Sequence, residues 1–76
     1  MEDLLEILLE LHPEVDFEVE EQLIDKGILD SFDIITIISE IADSFDVVVP
    51  AREIVPDNFN SAKALYAMIT RLEDGE

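Results

Sequence analysis

The sequence predicts an all-α fold: a small bundle of three main helices plus one short helix, with a long loop between helices one and two. Three observations lead there. Three segments carry apolar residues at helical spacing. One segment alternates like a strand, but no second convincing strand exists to pair with it, and an isolated strand is not stable. Prolines, a glycine and capping residues fall between the helical segments rather than inside them.

The first helix is expected over residues 2 to 11. Leu4, Ile7, Leu8 and Leu11 form a stripe that Leu5 and Leu9 widen, and Glu2 and Asp3 suit the positive end of the helix dipole. His12-Pro13 ends it, because the residue before a proline is pushed out of the helical region. His12 itself reads as a partly buried or capping residue.

Residues 14 to 30 form the long connection. In "EVDFEVEEQ" Val15, Phe17 and Val19 are expected to lean on the helices. Leu23 and Ile24 make a short turn against the core, Gly27 punctuates, and Ile28-Leu29 dips inward before the next helix. A connection this long in a compact domain is usually functional.

The second helix is expected over residues 31 to 44. Asp30 or Ser31 is a good N-cap, and Asp33 lies in the first turn. Its core face is Ile34, Ile37, Ile38 and Ile41, reaching Phe45, which leaves Phe32 and Ile35 on the other side. Asp46 to Val49 is extended and stops at Pro50, and Ala51 to Val55 forms a single short helical turn before Pro56. Asn60 or Ser61 caps the last helix, with Ala62, Leu65, Ile69 and Leu72 on one face and Arg71 near the C-terminal end of the dipole.

The composition narrows the function. The chain has 76 residues, which implies one domain over 1–76, and 49% of them are hydrophobic, enough for a packed core. Twenty acids against four bases give a net charge of -16, a surface that repels nucleic acid and anionic membranes and attracts basic protein patches. The acidic N-terminal "MEDLLEILLELHPE" is unlike a signal peptide, and no apolar run is long enough for membrane insertion. A cytoplasmic monomer is expected.

Catalytic chemistry is hard to assemble. With no cysteine and one histidine, neither a thiolate metal site nor a serine–histidine pair is evident. Two glycines cannot build a phosphate-cradling loop. Asp30 and Asp33 could do acid–base work in principle, but a small bundle offers no deep cleft around them. Ser31 is poorly equipped to act and well placed to be acted upon, since free amides at a helix N-terminus would stabilise a phosphate ester there. On spacing alone, Ser31 could equally be a plain cap.

"GILDSFD", the apolar helix after it and "SFDVVVPAREIVPDNFNSAKALYAMI" together resemble the acyl carrier and peptidyl carrier protein family. The spacing Gly27-Ile28-Leu29-Asp30-Ser31-Phe32 is similar to that of D-alanyl carriers and stand-alone carriers of specialised pathways. The resemblance implies that Ser31 carries 4'-phosphopantetheine, delivered from coenzyme A by a magnesium-dependent phosphopantetheinyl transferase. It implies that Asp30 assists that transferase or its metal, and that the protein is not itself an enzyme. Acyl or aminoacyl groups would ride on the arm as thioesters. A loading ligase and acyl-transferring enzymes would dock through basic patches on Phe32, Asp33, Ile35, Thr36, Ser39 and Asp43. The alternative is a small acidic protein-interaction module without a prosthetic group.

Overall fold

The computed structural model describes residues 2–75. Helix α1 runs Glu2–Leu11, α2 Ser31–Phe45, α3 Pro56–Phe59 and α4 Ala62–Glu73, with a 3-10 turn at Ala51–Glu53. Helix α1 packs against α2 and α4, and α3 against α4. The described residues contain no strand, so the alternating segment is loop, as expected.

Each long helix buries one stripe. Leu4 and Leu8 of α1, Ile37 and Ile41 of α2, and Leu65, Met68 and Ile69 of α4 share one core. The loop joins that core through Phe17, Leu23 and Leu29, with Val15, Ile24 and Ile28 packed against it, and Val47, Val49 and Phe59 close the far end. The strand-like alternation thus turns Val15 and Phe17 inward without any sheet. Val19 departs from the expectation: it is 72% exposed. The amides of Val19 and Glu20 both donate to the Asp16 carbonyl, and this local turn points Val19 outward. Leu9 is likewise exposed, so the α1 stripe is narrower than its leucines suggest.

The loop is fastened rather than loose. The Leu23 amide donates to the Asn60 carbonyl (2.9 Å), and Asn60 Oδ1 accepts from the amides of Ile24 (2.9 Å) and Asp25 (3.1 Å). Asn60 is therefore spent on the loop, and Ser61 caps α4, its Oγ accepting from the Ala64 amide (3.0 Å). Gly27 turns the chain at φ +71°, a region other residues enter only with strain. The Leu29 amide then donates back to the Leu23 carbonyl, closing the loop directly before α2.

Two features near the C-terminal end differ from expectation. The expected turn over 51–55 is shorter, and a separate helix, α3, begins at Pro56. Proline is a poor interior residue but a good first one, where its missing N–H has no partner to lose. Arg71 does more than suit a dipole: its guanidinium donates to both carboxylate oxygens of Glu53 (2.9 and 2.7 Å), tying the 3-10 turn to α4. That fork holds the Glu53 carboxyl below its ordinary range.

Candidate functional site

The head of α2 holds the residues that the sequence singles out. Asp30 is the N-cap, with extended backbone, and its Oδ1 accepts from the Asp33 amide (2.9 Å). Asp33 returns the bond, its Oδ2 accepting from the Asp30 amide (3.3 Å). This reciprocal capping box satisfies the Asp33 donor of the first turn and fixes the angle at which the loop enters the helix.

Ser31 is thereby the first residue inside the helix, not the cap. It is exposed, and among the described residues its hydroxyl has no hydrogen-bond partner. The amides of Ser31 and Phe32 belong to the first turn, which has no intrahelical acceptor for them. An exposed, unengaged hydroxyl beside free amides at a positive helix end fits a phosphodiester linkage.

Around Ser31 the other expected site residues divide. Phe32 and Ile35 are 81% and 64% exposed, and they share the outer face of α2 with exposed Ser39 and Asp43. Thr36 is half-buried, its hydroxyl donating to the Phe32 carbonyl (2.9 Å). Asp33 is turned sideways into the capping box and is only partly exposed.

One participant was not expected at the site. His12, at the end of α1, reaches across to α2, its Nε2 lying 2.8 Å from Asp33 Oδ2 and its Nδ1 3.2 Å from Glu14 Oε1. The hydrogen bond with Asp33 raises the affinity of the imidazole for its proton above the usual; burial opposes this and Glu14 reinforces it. For Asp33, burial pulls upward, but the bonds from His12 and the Asp30 amide prevail and hold the carboxyl below its ordinary value. Twenty-one residues separate His12 from Asp33, and the pairing follows from how α1 lies on α2.

Nothing nearby resembles a metal centre: no group of three or more potential ligands converges among the described residues. Among the described residues, no helix is long and apolar enough to cross a membrane.

Comparison with known proteins agrees with this geometry. Residues 2–69 match the family model described as phosphopantetheine attachment site. The D-alanyl carrier protein of Streptococcus mutans serotype c is 36% identical over 73 residues, 95% of this chain and 92% of its own length. The D-alanyl carrier proteins of Streptococcus sanguinis and Streptococcus gordonii are each 34% identical over the same shares. No solved structure matches the chain. A helical bundle presenting an unengaged serine, with a family match over nearly its whole length, leaves one assignment: the chain belongs to the phosphopantetheine attachment family of carrier proteins, which hold acyl or aminoacyl groups on a covalent 4'-phosphopantetheine arm.

Proposed function

We propose that Ser31 is the attachment residue and that this chain is a discrete carrier of D-alanine or another small aminoacyl or acyl group, acting as a cytoplasmic monomer. The observation that carries the attachment site is the exposed Ser31 hydroxyl at the first position of α2, without an intramolecular partner. When attached, the arm supplies a terminal thiol on which a cargo is held as a thioester. The chain's own residues present the hydroxyl and dock the enzymes that use it.

Asp30 has two tasks in this reading. One carboxylate oxygen caps α2, and the exposed side chain adds negative charge beside Ser31, where the transferase's magnesium would be attracted. The amides of Ser31 and Phe32 face the phosphodiester. Phe32 and Ile35 offer apolar contact, with Asp33, Thr36, Ser39 and Asp43 adding polar contacts, to the transferase and to a loading ligase with a basic docking patch.

The chain is a substrate of other enzymes rather than a catalyst. Its single histidine has both ring nitrogens set against carboxylates, which leaves no base to activate Ser31.

A small cargo is favoured because the similar proteins from three streptococci are D-alanyl carriers.

Incubating the purified chain with coenzyme A, magnesium and a promiscuous phosphopantetheinyl transferase should add the mass of one phosphopantetheinyl group. Ser31→Ala should abolish the gain, and a gain that survives the substitution overturns the assignment. Supplying the loaded carrier to a D-alanine-activating ligase with ATP should add one alanyl mass. Loading with long fatty acids in preference to alanine would refute the small-cargo reading.

A further inference from the structure

The contact between His12 and Asp33 is unusual in what it asks of the imidazole. Both ring nitrogens face carboxylate oxygens, Nε2 that of Asp33 and Nδ1 that of Glu14. A neutral imidazole has one N–H and one lone pair, so it can satisfy only one of these acceptors. Only the imidazolium donates to both.

The position adds to this. His12 continues the end of α1, its amide donating to the Leu8 carbonyl (3.0 Å), where the helix dipole favours a positive charge. The carboxylate it holds is the same Asp33 Oδ2 that accepts from the Asp30 amide. The ring therefore bears directly on the capping box that sets the geometry of Ser31.

We propose that His12 is the positioning residue of the Ser31 site. As imidazolium it bridges Glu14 and Asp33 and locks the Asp30–Asp33 capping box, and its deprotonation loosens the first turn of α2. The proposal rests on the attachment reading for its consequence, though not for the clamp itself.

The titratable groups facing the ring are Asp33 from α2 and Glu14 from the turn after α1, with Asp30 one bond further through the box. All three are acids, so nothing among these groups competes with the ring for its positive charge. The raised proton affinity of His12 agrees with this arrangement. The ordinary value is 6.5, so the switch falls above that.

Two measurements test the proposal. The first follows the His12 ring and the backbone amides of Asp30 and Asp33 by NMR from pH 5 to 9. The ring should titrate above 6.5, and both amides should shift with the same midpoint. Glu14→Gln, at an exposed position, should lower that midpoint without unfolding the chain. A midpoint at or below 6.5, or amides that do not follow it, overturns the clamp.

The second measures phosphopantetheinylation from coenzyme A across the same range. The KM for the wild-type chain should rise with pH by roughly five-fold, the factor a helix cap is worth, with kcat little changed. In His12→Gln, whose amide does not titrate over this range, that step should vanish. A step of the same size in His12→Gln, or none in the wild type, refutes the positioning role. Should the chain accept no phosphopantetheine at any pH, the attachment reading fails, and the NMR titration still decides the clamp.

Discussion

At the residue scale, the functions of Asp30 and Ser31 separate cleanly. The capping oxygen belongs to Asp30, so Asp30→Ala removes a genuine N-cap and should cost about 1 kcal/mol of stability. Asn is as good an N-cap as Asp, so Asp30→Asn should keep the stability while removing the charge beside Ser31. Thermal melts and transferase kinetics on the two variants would then divide structural from electrostatic roles. If Asp30→Asn is as slow a transferase substrate as Asp30→Ala, the charge matters; if it matches the wild type, the cap does. Ser31→Ala, by contrast, should leave the melt almost unchanged, because the hydroxyl caps nothing. The sequence placed a capping residue at 30 or 31 but could not choose between them. That choice depends on the backbone dihedrals of Asp30, which local composition does not determine. The His12–Asp33 contact was illegible for a different reason: no short-range pattern connects residues so far apart, and only the packing of α1 on α2 brings them together.

At the scale of elements, α2 has two apolar faces, one buried and one exposed. Ile37 and Ile41 are fully buried, so truncating either to Ala should cost about 2–5 kcal/mol, a large share of the stability of so small a domain. Ile35 and Phe32 are largely exposed, so Ile35→Ser or Phe32→Ser should change stability by no more than about 0.5 kcal/mol. The same two changes should raise the KM of the transferase and ligase reactions. Urea melts run beside those kinetics would contradict the assignment if stability fell and KM did not rise. The helical periods made the three long helices and the outward position of Phe32 and Ile35 readable in advance. Helix α3 was not readable, since its first residue, Pro56, signals a stop as strongly as a start. Val19 misled because alternation in the loop is honoured by Phe17 and broken two residues later by a turn.

At the scale of the whole molecule, charge opposes the fold. A net charge of -16 is carried on 76 residues, while the core is a single cluster of aliphatic side chains with Phe17 and Phe59. The described ion pairs draw on few cations: Lys26 with Glu20, Arg52 and Arg71 both with Glu53, and protonated His12 with Glu14 and Asp33, leaving most carboxylates to repel one another. Unfolding spreads these charges apart, so repulsion favours the unfolded chain. The Debye length shortens from about 30 Å at 0.01 M salt to about 8 Å at 0.15 M. The described residues extend 32 × 22 × 21 Å, so at low salt every acid senses nearly every other, whereas at physiological salt only neighbours interact. The melting temperature should therefore climb steeply over that range and flatten beyond it. Divalent cations should raise it at lower concentration than sodium does, because ionic strength grows with the square of the ion's charge. His12→Gln should not alter this salt response, because one side chain barely changes so large an imbalance. A melting temperature that stays constant from 0.01 to 0.15 M would mean that the acids are already neutralised in the folded state.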